Sequence, residues 1–217
     1  MRLRQVTLAA ADPAALRPFY AEALGLPVTD TAEGFVVAVG TSALEFRAAD
    51  RGDPFYHVAL SVPGGIDAAT DWLRGRSDIL TNDGREQFRY DFVDADAVYT
   101  TDPAENVLEL LARDGREGPE EFGPGSLLDV AEVGVVTSDV RWAAERLERT
   151  FGLQSSPTEE FAYVGDAAGA FVLAAPGRPW FPTDRGAEIA PLSVLAEGGS
   201  GALSFAEGPV SVVGIGD

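Results

Sequence analysis

The order of apolar and polar positions divides the chain into short strands and a few amphipathic helices. Residues 3–10 alternate as a strand does, and apolar residues then recur at helical spacing over 16–24. Asp12 followed by Pro13 predicts the start of this helix, because an acceptor side chain precedes a proline at the first helical position. Strands are predicted after the helix at 27–31, 35–39 and 43–48. The first unit therefore has the order β-α-β-β-β.

A second unit of the same order follows at once. It begins with a strand from Phe55, which ends at Pro63, and continues with a helix that places Ile66, Trp72 and Leu73 on one face. Its later strands are predicted at 87–92, 97–101 and 106–112. The repetition of one order of elements within 112 residues indicates an internal repeat.

The second half of the chain repeats this order incompletely. Residues 113–126 are rich in Gly, Pro and Glu, and we interpret them as a linker. A third unit follows, with a helix capped by Asp139 and ended by Gly152. The tail has strand patterns at 189–195, 202–205 and 210–215 with no helical pattern between them. We predict an α+β fold of tandem units, with domains 1–112 and 127–217 and a last unit that lacks its helix.

Polar residues occupy equivalent positions in the repeats. Alignment of the first strands places Gln5, His57 and Glu132 at one position, and alignment of the closing strands places Glu45 beside Glu109. In a strand with period 2, each of these side chains lies on the face opposite the apolar one. His57 is the only histidine in the sequence. A single histidine or strand carboxylate is usually structural, but their recurrence at equivalent positions favours a shared polar site.

The charge of the chain limits its partners. Its 35 acidic and 16 basic residues give a formal net charge of −19, and every basic residue is an arginine. Such a charge repels nucleic acids and anionic membrane surfaces, so we expect neither as a partner. The chain has no cysteine, which excludes disulfides and thiolate ligands. With no signal-like segment at Met1 and no long apolar stretch, we expect a cytoplasmic protein.

Two segments resemble a known family. The sequence Phe-Tyr-Ala-Glu-Ala-Leu-Gly-Leu at 19–26 and the sequence Asp-Pro-Ala-Glu-Asn-Val-Leu-Glu-Leu at 102–110 are similar to the helix end and the last hairpin of the vicinal oxygen chelate superfamily. This superfamily includes glyoxalase I, extradiol dioxygenases and bleomycin-resistance proteins. The turn departs from the family pattern, in which Gly is usual where Glu105 stands. The resemblance implies βαβββ units whose curved sheets pair to form cups.

The resemblance also implies a metal site within a cup. Its ligands come from the first and last strands of two units, and the matching residues here are Gln5, Glu45, His57 and Glu109. Three oxygen donors and one imidazole suit Zn, Ni, Co or Mn better than Fe(II). We expect residues 1–112 to form the cup that holds this site. The unit of Glu132 has no carboxylate in its closing strand, so we expect Glu132 to be solvated or paired with an arginine and to hold no metal.

The activity implied is a metal-dependent lyase or isomerase reaction of the glyoxalase I type. The metal would polarise a small oxygenated substrate, with Glu109 as the catalytic residue that moves the proton. One alternative is a small-molecule binding or resistance protein without catalysis. Another is an extradiol-type dioxygenase, although a single histidine does not supply the usual two-histidine, one-carboxylate site. The sequence is compatible with a monomer or a homodimer.

Overall fold

The computed structural model describes residues 1–118, 121–206 and 208–216. The described residues form fourteen β-strands, three α-helices and one π-helical turn. The strands are β1 (Arg2–Ala10), β2 (Val28–Asp30), β3 (Gly34–Val39), β4 (Ser42–Ala48), β5 (His57–Val62), β6 (Gln87–Tyr90), β7 (Ala95–Thr101), β8 (Val107–Arg113), β9 (Asp129–Val136), β10 (Phe161–Asp166), β11 (Gly169–Ala174), β12 (Leu192–Glu197), β13 (Ser200–Phe205) and β14 (Val210–Ile215). The helices are α1 (Pro13–Pro18), α2 (Ile66–Arg74) and α3 (Val140–Phe151).

The helices begin where their capping residues predict. The Asp12 carboxylate accepts a hydrogen bond from the Ala15 backbone N–H at 3.1 Å, and Asp139 accepts one from that of Trp142 at 3.0 Å. The first helix departs from prediction at its end, because Pro18 has no N–H to donate to the α-helical ladder. The chain continues as a π-helical turn over Phe19–Ala23. No described helix is long and apolar enough to cross a membrane.

The strands form four units within one sheet. In the first three units the closing strand runs parallel to the first strand: β4 beside β1, β8 beside β5, and β11 beside β9. In the fourth unit β14 lies parallel to β12 in the same way. No helix separates β12, β13 and β14 in the described residues 189–206 and 208–216. The α+β fold and the missing last helix therefore agree with the sequence prediction.

The pairing of the units differs from the expected one. The first strand of unit 1, β1, pairs antiparallel with β12 of unit 4, with Thr7 opposite Ser193. The first strand of unit 2, β5, pairs antiparallel with β9 of unit 3, with Val58 opposite Val133. The cup that contains His57 is thus formed by units 2 and 3, and the prediction that residues 1–112 form it alone is wrong. Each unit presents a similar free edge strand, so the apolar pattern does not specify which edges meet.

The first strand of unit 2 separates two apolar clusters. Tyr56, Val58 and Leu60 point into the main core, which also receives the buried faces of the helices. Phe55 and Ala59 belong to a second cluster on the cup side of the sheet. The alternation predicted from the sequence for this strand is therefore confirmed, and it directs His57 into the cup.

The unit pairing can be tested by cross-linking, because the natural chain has no cysteine. Thr7→Cys with Ser193→Cys places two thiols on directly opposed residues of β1 and β12, within the Cα separation of about 4.4–6.8 Å that a disulfide spans. We expect rapid oxidation and faster migration in non-reducing electrophoresis. The control, Thr7→Cys with Ser61→Cys, would link the first strands of units 1 and 2, and it should remain reduced. Efficient cross-linking of the control alone would contradict the observed pairing.

Candidate functional site

The four predicted ligands fall into two separate pairs. Gln5 and Glu45 contact each other in the cup formed by units 1 and 4. His57 and Glu109 contact each other in the cup formed by units 2 and 3. A four-residue site of Gln5, Glu45, His57 and Glu109 is therefore not assembled, because the strands that carry the two pairs join different partners.

The pair in the first cup is satisfied internally. The Gln5 amide donates to Glu45 Oε2 at 2.7 Å, and the Thr7 hydroxyl donates to the same oxygen at 3.0 Å. The Arg47 guanidinium donates to Glu45 Oε1 at 2.7 Å. Burial alone would raise the pKa of Glu45, but the hydrogen bonds from Arg47, Thr7 and Gln5 together lower it. Glu45 is an ionised carboxylate whose oxygens are already occupied.

The second cup brings three ionisable side chains together. Ala59 lies opposite Glu109 on one side and opposite Glu132 on the other, so its small side chain separates the two carboxylates. The pairing of β5 with β9 shifts register just after Ala59. Such a β-bulge bends the strand and changes the direction of a side chain. His57, Glu109 and Glu132 all line one cavity of about 580 Å³.

His57 is held by a carboxylate and an aromatic ring. Its Nε2 lies 2.8 Å from Glu109 Oε2, and its ring stacks on that of Trp180 with centroids 5.2 Å apart. Gly134 permits this stacking, since a Cβ there would come within 2.8 Å of the Trp180 ring. With its proton on Nε2, His57 donates to Glu109 and leaves Nδ1 as an acceptor. Nδ1 and the Trp180 Nε1–H are both buried, and neither has a hydrogen-bond partner among the described residues.

Glu132 is paired with a buried arginine. Arg113 donates to Glu132 Oε1 at 3.0 Å and to the Tyr163 hydroxyl at 2.9 Å, and that hydroxyl donates to Glu132 Oε1 at 3.1 Å. Burial and then the nearby charge of Glu109 raise the pKa of Glu132 to about 7. The expected pairing of Glu132 with an arginine agrees with the structure, although the carboxylate is buried rather than solvated.

The rest of the cavity wall is largely aromatic. Tyr99 and Tyr90 share a hydrogen bond of 2.8 Å between their hydroxyls, and Phe181 packs edge-on against Tyr99 and Phe88. The aromatic residues that line the cavity are Phe88, Tyr90, Phe92, Tyr99, Phe161, Tyr163, Trp180 and Phe181. No repeat or motif in the sequence marks any of these residues or Arg113. The internal repeat did indicate Glu132, because the alignment of first strands places it at the position of His57.

The donors of this cup do not fit a resident divalent metal. One pair alone has a suitable spacing. His57 Nε2 and Glu109 Oε2 are 2.8 Å apart, and two ligands that lie about 2.1 Å from an ion at right angles are about 3 Å apart. Glu132 is the third acidic or histidine side chain of the cavity, and its Oε1 accepts from both Arg113 and the Tyr163 hydroxyl. In the third unit, Val172 stands at the position equivalent to Glu109, because it pairs with Gly134 as Glu109 pairs with Ala59. The third unit therefore supplies no carboxylate there. The described residues contain no group of three acidic or histidine side chains spaced to hold a metal ion.

The raised pKa of Glu132 predicts a pH-dependent stability. The usual value is 4.5 and the folded value is about 7. Between them the folded protein retains a proton that the unfolded chain releases, so this residue makes stability fall as pH rises, by about 1.4 kcal/mol per pKa unit of difference. Glu132→Gln should remove this fall, as measured by urea unfolding at pH 5 and pH 8. Glu145→Gln, at an exposed site, should keep it, and an unchanged pH profile in Glu132→Gln would contradict the assignment.

Comparison with solved structures identifies the fold. A putative dioxygenase from Bacillus subtilis aligns over 100% of this chain and 85% of its own, with a TM-score of 0.61 and 15% identity. A glyoxalase I variant from Zea mays aligns over 98% of this chain and 93% of its own, with a TM-score of 0.57 and 13% identity. No family model and no curated protein sequence matches the chain. The repeated βαβββ units and these two likenesses together show that the chain has the fold of the vicinal oxygen chelate superfamily.

Proposed function

We propose that the cup of units 2 and 3 binds a small, flat and mainly apolar organic molecule that carries a hydroxyl group, and does so without a resident metal. The observation that carries this proposal is one cavity of about 580 Å³ in which eight aromatic side chains surround a buried His57–Glu109 pair. Concave, largely apolar cavities with a few convergent polar groups are the usual form of small-molecule sites.

Two buried atoms define the polar contact that such a ligand would make. His57 Nδ1 is an acceptor when Nε2 donates to Glu109, and Trp180 Nε1–H is a donor. Neither has a partner among the residues that the structure describes. An unsatisfied buried polar atom costs about 1–3 kcal/mol, and a bound hydroxyl can both donate and accept. A ligand hydroxyl that reached these two atoms would supply the partners they lack, while its ring packed against the aromatic wall.

This proposal replaces the metal-dependent lyase expected from the resemblance. The four residues required for that activity lie in two cups, and the second cup contains no described group of three acidic or histidine side chains spaced to hold a metal ion. Ring cleavage of the extradiol type requires an iron site that these donors do not provide. The His57–Glu109 pair has the arrangement of a general base, because Nδ1 can accept a proton from a ligand hydroxyl while Nε2 donates to Glu109.

Ligand-detected NMR with 4-ethylphenol and ethylbenzene tests the proposal, because the two probes differ only by a hydroxyl. We expect 4-ethylphenol to bind more tightly. Trp180→Phe keeps the aromatic contact and removes the N–H, so it should weaken 4-ethylphenol binding about threefold to tenfold, the contribution of one hydrogen bond. Trp142→Phe should change nothing, because Trp142 is 44% exposed and is not among the residues that line the cavity.

Elemental analysis of the purified protein tests the metal-free part of the proposal. We expect less than one tenth of an equivalent of Zn, Ni, Co, Mn or Fe per chain. A stoichiometric divalent metal that is lost in His57→Ala would overturn the proposal and favour metal-dependent chemistry. Equal binding of the two probes, or binding of 4-ethylphenol that is unaffected by Trp180→Phe, would contradict the assigned hydroxyl contact.

A further inference from the structure

The wall of the second cup carries more arginines than carboxylates, in contrast to the chain as a whole. Among the described residues that line its cavity, the arginines are Arg85, Arg89 and Arg178, and the carboxylates are Glu109 and Glu132. The whole chain has 16 basic and 35 acidic residues. The depression in the first cup follows the chain, with two arginines and three acidic residues in its wall. An excess of positive charge therefore distinguishes the second cup from the first.

Both carboxylates of the cavity already have partners. Arg113 donates to Glu132 Oε1 at 3.0 Å, and His57 Nε2 lies 2.8 Å from Glu109 Oε2. A buried carboxylate is stabilised when a hydrogen-bonding or cationic group is paired with it in this way. The other arginines of the wall are therefore not required to stabilise these two acids.

Two of the three arginines that line the cavity have no acidic partner. Arg89 is bound to Asp114 Oδ2 at 2.8 Å, on the outer side of the wall where Asp114 is exposed. In the described part of the chain, no carboxylate forms an ion pair with Arg85 or Arg178. These two guanidinium groups keep their positive charge and their N–H donors for a ligand.

The position of Arg178 is fixed by its backbone and by an aromatic ring. Its backbone N–H donates to the Ala175 carbonyl at 3.2 Å, and its carbonyl accepts from the Ala187 N–H at 2.8 Å. The guanidinium carbon lies 4.5 Å from the centre of the Phe161 ring. Stacking of a guanidinium on a ring leaves the N–H groups at its edge able to donate. Arg178 is thus oriented in advance for a ligand group with two acceptors in one plane.

We propose that the ligand of this cup is an aromatic molecule that carries a carboxylate as well as a hydroxyl, with Arg178 as the residue that binds the carboxylate and Arg85 as a second source of positive charge. The inference rests on the proposed function, because the aromatic wall would hold the ring of the same ligand. A guanidinium binds a carboxylate through two parallel N–H···O bonds. A phosphate of charge −2 would be repelled more strongly than a carboxylate by Glu109 and Glu132.

The net charge of the chain makes a preference for an anion informative. A formal charge of −19 repels an anionic ligand at long range, and salt screens this repulsion over about 10 Å. Close contact with a guanidinium is then the interaction that favours a charged ligand over a neutral one. A carboxylate that binds more tightly than its own amide would therefore report on the positive charge of the cavity wall.

Calorimetry at neutral pH with 3-(4-hydroxyphenyl)propanoate and its amide tests the inference, because the two probes have nearly the same shape and differ in charge. We expect the carboxylate to bind the wild type about tenfold more tightly than the amide, the contribution of one hydrogen bond to a charged group. 4-Hydroxybenzoate and its amide repeat the comparison with a shorter distance between hydroxyl and carboxylate. At least one of the two carboxylates should have this advantage.

Variants of the arginines assign the preference to a residue. Arg178→Gln removes the charge and keeps N–H donors, so the carboxylate should lose its advantage while the affinity of the amide stays close to that of the wild type. Arg85→Gln should reduce the advantage about twofold to fivefold, as for an exposed charge. Arg149→Gln is the matched control. It changes the net charge equally, but Arg149 is exposed on α3 and does not line the cavity, so the advantage should persist.

The outcomes separate this inference from the proposed function. If 4-ethylphenol binds and neither carboxylate binds more tightly than its amide, the inference is overturned and the proposed function stands. An advantage of the carboxylate that survives in Arg178→Gln would contradict the assignment of Arg178. If none of the probes binds, 4-ethylphenol included, both are overturned. The comparison of carboxylate with amide uses the wild type, so a loss of folding in Arg178→Gln would not remove it.

Discussion

The pairing of free edge strands is the constraint on which the rest of the structure depends. In every unit the closing strand lies on one side of the first strand, and the other side needs a partner to satisfy its backbone hydrogen bonds. The structure joins β5 to β9 and β1 to β12. This choice places Glu132 rather than Gln5 opposite Ala59, with Glu109 on the other side, and so it decides which side chains share a cavity. The chemistry of the cup follows from a backbone pairing between strands about 75 residues apart.

Local features of the sequence predicted the units well. Asp12 and Asp139 mark the starts of two helices. The alternation from Phe55 onward separates core residues from cup residues. Both features could be predicted because each depends only on residues within one helical turn or one strand. The pairing of units is a long-range choice among similar edges, and the apolar pattern contains no information about it. The same limit applies to Trp180, which reaches His57 from the connection between β11 and β12. No repeat or spacing relates these two residues.

An arginine neutralises a carboxylate in each cup, but the two ion pairs differ in burial and therefore in how much their disruption would cost the folded state. Arg47 binds Glu45 in the first cup with its side chain 49% exposed, where water screens the charge and the pair contributes little. Arg113 binds Glu132 with both side chains less than 9% exposed. In that setting, removal of one partner leaves an uncompensated buried charge, which typically costs about 3–5 kcal/mol. The second pair is therefore the one whose disruption would cost the folded state more.

The connection between β11 and β12 gives the two cups different walls. It spans residues 175–191 and brings Trp180 and Phe181 over the cup of units 2 and 3, where they stack on His57 and meet Tyr99 edge-on. Gly134 leaves the space that Trp180 fills. In the first cup, the end of the same connection contributes Ile189 and Pro191 to a more polar depression that contains Arg47 and Arg51. Two cups of similar backbone thus differ in binding chemistry because the two ends of one connecting segment line them with different side chains.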